Sequence, residues 1–332
     1  MNKKYCVVFA TRNYYPMFEG FLYKYTKADW DDVILLNVDV SSLPDEKEKG
    51  KKTCEKLGIH FVNQGDENYT STQSVIEAAD IYLTKNNIDV DWIIYFEHDV
   101  VPLQKDFWER LDKLLDNDKF IDNVGMFGAN CYQWIGYDEA SKLVNSDDWF
   151  KKRSTGTATA RGNLVNGIMN LHHPGWYCGL PKDYYKSDYF VVEVPNWTCT
   201  GFNRKLFREN IKVDTRFKFD LWADDIAHQF LLKGFVNITF PSLMVCHTHE
   251  FKNEVSIVSD QNFIRNTNSH DVFYSKYSFY WGKRNTMLRQ QFENAAYNWW
   301  DDNKMYKNSI QKLLFEMNIT DGPKKIEDFI NV

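Results

Sequence analysis

The first 130 residues alternate short apolar runs with stretches of helical spacing. Residues 4–10 predict a strand, and Pro16 at a first-turn position, followed by Phe18, Phe21, Leu22 and Tyr25, predicts a helix after it. Residues 33–38 and 59–62 predict a second and a third strand. Val75, Ile76, Ala79, Tyr82 and Leu83 mark one face of the next helix. The run Trp92-Ile93-Ile94-Tyr95-Phe96 is apolar at every position, which predicts a central strand covered on both faces. Asp106 and Glu109 have the spacing of a capping box ahead of Phe107, Trp108, Leu111, Leu114 and Leu115. Strands that alternate with helices in this way predict an α/β fold: a doubly wound, mostly parallel sheet with helices on both faces.

Beyond residue 130 the pattern breaks into Gly, Thr, Asn, His and aromatic residues, and the stretch 155–162 is the least core-like of all. A loop of that length is usually functional or disordered. Further strands are predicted near 190–194 and 235–246, with a helix at about 224–233 closed by Gly234. An aromatic, helical tail follows at 286–317. The organisation expected is one domain over 1–270, in halves of about 1–128 and 129–270, and a helical C-terminal extension over 271–332.

Composition removes some function classes. With 332 residues, 43% of them apolar, the chain can fill a sizeable core. A net charge of -6 supplies no general attraction for a polyanion, so no nucleic acid partner is expected. No run approaches the roughly 18 apolar residues of a membrane span. The six cysteines include no C-x-x-C pair, which disfavours a zinc ribbon or dithiol site. With no secretory signal read at the start, the expected location is cytoplasmic. Aromatic residues reach 16%, including 11 Trp; rings stack on sugar faces but also fill cores.

Candidate chemistry concentrates where predicted strands end, because open α/β sheets bind ligands beyond their carboxyl ends. Thr11-Arg12-Asn13, Asp39 and Glu97-His98-Asp99 all follow strands in this way. An acid-x-acid triplet is common by chance, about six being expected from the acidic content. Its place after the central strand gives this one weight. Two hard oxygen ligands there can grip Mg²⁺ or Mn²⁺ and leave coordination positions open for a diphosphate. Asp224 and Asp225 open the later helix, either as capping acids or with one as a general base. His247 and His249 end a core strand on one face and are candidate ligands or hydrogen-bonded structural residues; His172-His173 precedes a Pro-Gly turn.

Taken in order, these segments resemble the GT-A-fold glycosyltransferases, in particular the inverting family 2. Residues 7–13 look like that family's first strand and base-binding loop, and Asp39 like its second-strand Asp. Glu97-His98-Asp99 is similar to its DxD metal motif. The segment 196–204, with Trp197 and Gly201, resembles its acceptor side, and 221–234, with Trp222, its acidic catalytic motif. His247 resembles the later metal-joining His, and 279–285, with Arg284, an aromatic-x-x-Arg-Asn segment. Thr72-Gln73 stands where the family carries an Arg-Asn pair after the third strand, so Arg12 or Arg284 is the substitute cation.

The resemblance implies metal-dependent transfer of a hexosyl or pentosyl group from a UDP-, GDP- or dTDP-sugar to a carbohydrate hydroxyl. It implies Glu97, Asp99 and His247 on Mn²⁺ or Mg²⁺, with Asp99 the direct carboxylate ligand and Glu97 acting through water. Asp224 or Asp225 would be the base of an inverting reaction. Thr11, Arg12, Asn13, Asp39, Gly65, His98 and Arg284 would lie on the nucleotide sugar. Trp197, Gly201 and Trp222 would lie on the acceptor side. Competing expectations are a sugar-nucleotide nucleotidyltransferase, which would want a Gly-rich basic loop after the first strand, and a non-catalytic carbohydrate-binding protein.

Overall fold

The computed structural model describes residues 4–13, 33–41, 43–64, 72–116, 121–133, 136–144, 157–159, 163–165, 168–170, 190–192, 194–195, 197–217, 221–247 and 269–277. The helix expected at 16–25, the loop at 155–162 apart from 157–159, His172, His173, Gly65, His249, Arg284 and the tail at 286–317 lie outside these residues.

Twelve strands are described: β1 (Tyr5–Thr11), β2 (Ile34–Asp39), β3 (His60–Asn63), β4 (Trp92–Phe96), β5 (Val100–Pro102), β6 (Val124–Gln133), β7 (Thr157–Thr159), β8 (Asn163–Val165), β9 (Ile168–Asn170), β10 (Phe190–Val192), β11 (Cys199–Asn203) and β12 (Val236–His247). The helices are α1 (Pro44–Leu57), α2 (Thr72–Lys85), α3 (Phe107–Leu115), α4 (Tyr137–Val144), α5 (Arg204–Asn210), α6 (Trp222–Leu232) and α7 (Ser269–Tyr277). The main sheet runs β10-β12-β6-β11-β4-β1-β2-β3, with β5 added to β12 and β7 to β6; β8 and β9 form a separate hairpin.

β3, β2, β1 and β4 are mutually parallel, as expected for strands joined by crossovers. β11 is antiparallel to both β4 and β6, and β12 is parallel to β6. β6 and β12 therefore run in the same sense as β4, and six of the eight strands on the main path point one way. The predicted doubly wound, mostly parallel sheet is the fold observed. β5, β6 and β11, which were not anticipated as strands, interleave its second half.

Every residue of β4 is buried, and its side chains alternate between two cores. Trp92, Ile94 and Phe96 pack with Phe107, Trp108 and Leu111 of α3 and Cys54 of α1. Ile93 and Tyr95 pack with Val75, Ile76 and Leu83 of α2 and with Trp222, Ile226 and Phe230 of α6. Each such side chain contributes about 1.5–3 kcal/mol by leaving water. The face predicted for α2 is the one that is buried, except Tyr82, which packs at the core's edge.

Two local expectations change. Asp106 occupies the N-cap of α3 but forms no side-chain cap; its carboxylate accepts from Arg110 Nε at 2.8 Å, and Glu109 accepts from Lys113 at 2.7 Å. Surface i,i+4 pairing takes both acids, so no capping box forms. The helix predicted at about 224–233 begins at Trp222, which places Asp224 and Asp225 inside its first turn rather than at its cap. Gly234 closes that helix in the left-handed region, φ 88°, with Phe235 N–H donating to the Phe230 carbonyl at 3.0 Å.

α5 is fastened to α2 by a double guanidinium clamp. Arg204 Nε donates to Asp80 Oδ1 at 2.7 Å, Arg204 Nη1 to the Ile88 carbonyl at 2.9 Å, and Arg208 Nη2 to Asp80 Oδ1 at 2.7 Å. Burial pushes the Asp80 carboxyl up, but the hydrogen bonds from Arg208 and Arg204 outweigh it and hold the pKa below the ordinary value. A carboxylate with a depressed folded pKa stabilises fully above its unfolded value, about 3.9, and loses that contribution as pH falls through the folded value.

Two outcomes follow. The stability difference between the parent and Asp80→Asn, read by urea denaturation, should be constant from pH 7 to about pH 5 and shrink below about pH 4. Gly201→Ala should cost about 1–3 kcal/mol in the same assay, because a Cβ there would overlap the Phe127 ring on the neighbouring strand.

Candidate metal centre

The parallel strands bring their carboxyl ends to one edge, and the candidate residues gather there. At the end of β4 the chain turns at once: Val100 N–H donates to the Glu97 carbonyl at 3.0 Å, and Glu97 N–H to the Thr198 carbonyl, just before β11, at 3.1 Å. The turn delivers β5 antiparallel to the last residues of β12, with Val100 opposite His247. The imidazole is thereby set against the triplet. His247 Nε2 lies 2.9 Å from Asp99 Oδ1 and 3.3 Å from Glu97 Oε2.

One ligand atom from each of Glu97, Asp99 and His247 falls within 4.8 Å of the others, the only such three-residue cluster of acid, His or Cys groups among the described residues. Their side chains are between 10% and 15% exposed, so the group is sheltered but reachable. The donor set, two carboxylate oxygens and an imidazole nitrogen, suits Mn²⁺ or Mg²⁺. It leaves room for further oxygen ligands. His98 is partly buried and stands outside the cluster; burial lowers its pKa and so favours the neutral ring, the attraction of Asp99 opposing this and the nearby His247 adding to it.

The ends of β1 and β2 are knitted into a second polar group. Val40 N–H donates to the Thr11 carbonyl at 3.0 Å, and the Thr11 hydroxyl meets the buried Asn37 amide, whose Nδ2 donates back at 2.8 Å. Arg12 Nη1 donates to the Val40 carbonyl at 2.9 Å. Asn13 adopts a left-handed conformation, φ 55°, one that Asn tolerates; its N–H donates to Ser41 Oγ at 2.8 Å. Asp39 is fully buried and accepts from Ser41 N–H at 3.1 Å and Ser41 Oγ–H at 2.9 Å.

Asp224 and Asp225 are both buried but differ in surroundings. Asp225 Oδ1 lies 2.6 Å from Lys276 Nζ, and Oδ2 accepts from Gln73 Nε2 at 2.9 Å and Gln229 Nε2 at 2.8 Å. Asp224 lies one position earlier, and its carbonyl meets His228 Nδ1 at 2.7 Å. Trp222 is an element of the core, edge-on to Tyr95 at 5.1 Å between centroids, and Gly201 is the close-approach point under Phe127. Trp197 is partly buried against the same core.

Sequence reasoning did not single out Thr198, Ser41, Asn37 or Lys276, and it noted Gln73 only as a departure. Their signals are pairings across the fold, which a linear pattern does not carry. A cavity of about 700 Å³ lies elsewhere, lined by Gln104, Lys105, Arg110, Tyr137 and Lys142 among others, and shares no residue with the metal cluster. No helix among the described residues is long and apolar enough to cross a membrane.

No family model matches the sequence, and no curated protein matches it. Among solved structures, 286 chains match. One is a mannosyltransferase from Pyrobaculum calidifontis in complex with GDP-Man and Mn²⁺, at 12% identity and a TM-score of 0.48, covering 94% of this chain and 74% of that one. Another is GalNAc-T7 with UDP, GalNAc and Mn²⁺, at 13% identity and a TM-score of 0.48, covering 74% of this chain and 43% of that one. This chain therefore spans less than half the length of the second.

The cluster makes a direct prediction. Mn²⁺ should raise the unfolding temperature by scanning calorimetry, the gain approaching about 2.7 kcal/mol at a hundredfold excess over Kd. Asp99→Asn should remove most of that gain while leaving the metal-free transition within a few degrees of the parent.

Proposed function

We propose that this protein is a metal-dependent glycosyltransferase that moves a hexosyl or pentosyl group from a nucleoside-diphosphate sugar to a carbohydrate hydroxyl, with inversion. The observation that carries the reading is the convergence of Glu97, Asp99 and His247 at the sheet edge where Thr11, Arg12, Asn13 and Asp39 also end. A binding module for neutral sugars has no need of two carboxylates and an imidazole aimed at one point.

In this reading Glu97, Asp99 and His247 hold Mn²⁺ or Mg²⁺. The cation, when bound, neutralises the charge that develops on the departing diphosphate. Asp39, fixed by Ser41, accepts a nucleobase N–H, while Thr11, Arg12 and Asn13 shape the wall beside it. Gly65 and Arg284, outside the described residues, complete the donor side together with His98. Of the three acceptor-side candidates, Trp197 is assigned the sugar-stacking role; Gly201 and Trp222 support it from the core.

Asp224 is assigned as the general base that takes the proton of the acceptor hydroxyl as that oxygen attacks the anomeric carbon. Asp225 is the poorer base of the two, because its oxygens face a lysine ammonium and two amide donors. A base must accept a proton from substrate, and these contacts occupy both Asp225 oxygens. The proposed location is the cytoplasm, and the nucleotide is a uridine, guanosine or deoxythymidine diphosphate.

Incubation with a panel of nucleotide sugars and Mn²⁺, with release of nucleoside diphosphate as the readout, tests the reading. Chelator-sensitive release from one donor supports it. Pyrophosphate-dependent formation of a nucleoside triphosphate would instead indicate a nucleotidyltransferase, and absence of donor binding by calorimetry a binding module. Asp224→Asn should lower turnover by about 10²–10⁴-fold with donor binding intact. Asp225→Asn should act first on the denaturation midpoint. Near-normal turnover in Asp224→Asn would remove the base assignment.

A further inference from the structure

The first turn of α6 begins under strain. Leu221, a bulky residue, precedes it in the left-handed region with φ 62°, a conformation that persists only where the surroundings enforce it. The Leu221 carbonyl still accepts the Asp225 N–H at 2.9 Å, so the strained residue is built into the helix itself.

One side chain from another element reaches this turn at two points. Gln73 sits in the first turn of α2, fully buried. Its Nε2 donates to the Trp222 carbonyl at 3.1 Å and to Asp225 Oδ2 at 2.9 Å. Its Oε1 accepts the Asp214 N–H at 2.7 Å, from the segment between α5 and α6. A single amide thus joins the donor half of the sheet, the approach to α6 and the helix start.

Charge closes the arrangement. Asp225 has 0% side-chain exposure and meets Lys276 of α7 at 2.6 Å, while Asp214 is paired with Arg216 at 2.6 Å and lies 3.8 Å from Lys276. Gln229, four residues along α6, adds the last amide donor to Asp225.

We propose that Gln73, with Asp225 and Lys276 as its anchor, is a positioning residue for Asp224: it fixes the first turn of α6. The proposal rests on the reading of Asp224 as the base. Among the described residues, the hydrogen bonds of Gln73 go to Trp222, Asp225 and Asp214 and not to the Glu97-Asp99-His247 cluster or the β1 and β2 ends. Its loss should therefore alter turnover without altering donor or metal binding. Sequence alone makes Gln73 look like a missing cation on the donor side; its contacts make it a brace for the acceptor-side base.

The test compares the parent with Gln73→Leu and with Gln229→Leu, which removes one amide from Asp225 but leaves the Trp222 and Asp214 contacts. Hydrogen exchange over residues 222–228 should accelerate at least tenfold in Gln73→Leu and less in Gln229→Leu, with β1 and β4 unchanged. With an accepted donor, kcat should fall at least tenfold in Gln73→Leu while donor KM and Mn²⁺ affinity stay within twofold. Unchanged exchange in this turn overturns the proposal whatever the activity. So does altered exchange with normal kcat, or a matching rise in donor KM. If Asp224→Asn keeps full turnover while exchange behaves as expected, the base reading falls and Gln73 is a brace without catalytic consequence, which also overturns the proposal.

Discussion

The site depends on β4 being apolar on both faces. Its five side chains alternate between two cores, and its backbone is satisfied by β1 on one side and β11 on the other. Such a strand cannot slip by one residue without moving Trp92, Ile94 and Phe96 into the space shaped for Ile93 and Tyr95. Fixing β4 fixes where it ends. The first polar residue after it, Glu97, is held at the sheet edge by the Thr198 carbonyl rather than left to a wandering loop.

That edge is where a cluster of like charge becomes useful instead of merely expensive. Two carboxylates within reach of each other repel, and a sheltered environment deepens the repulsion because water screens it less. The imidazole of His247 is a partner the sheet itself delivers, through the short pairing of β5 with the end of β12. Donors held by the turn after β4 and by the paired end of β12 lose little freedom on meeting a cation. The ordering cost was met when the sheet formed.

The parallel half of the fold was legible because its signals are local: uninterrupted apolar runs for β1 and β4, a run broken only by Asn37 for β2, and a buried stripe at helical spacing for α2. The convergence of Glu97, Asp99 and His247 was legible for the same reason, since each lies at the end of a recognisable strand. β5 was missed because three residues, Val100 to Pro102, carry no period. β6 and β11 were missed because Gly125, Gly128 and Gly201 resemble loop punctuation. In place, Gly125 and Gly201 lie directly beneath the rings of Phe230 and Phe127, so they mark close packing rather than a break. The capping box failed where ordinary surface ion pairs competed for the same acids.

The pair Asp224-Asp225 shows why adjacency in sequence is a poor guide to shared function. Successive residues on a helix point about 100° apart, so two neighbouring carboxylates in one turn face different walls. One of them meets a lysine and two amides contributed from α2, α6 and α7, donors that engage both of its oxygens. A carboxylate so engaged anchors the helix well and accepts a substrate proton badly. Division of labour between the two acids then follows from helix geometry and the placement of Gln73 and Lys276, neither of which any motif around residue 224 would reveal.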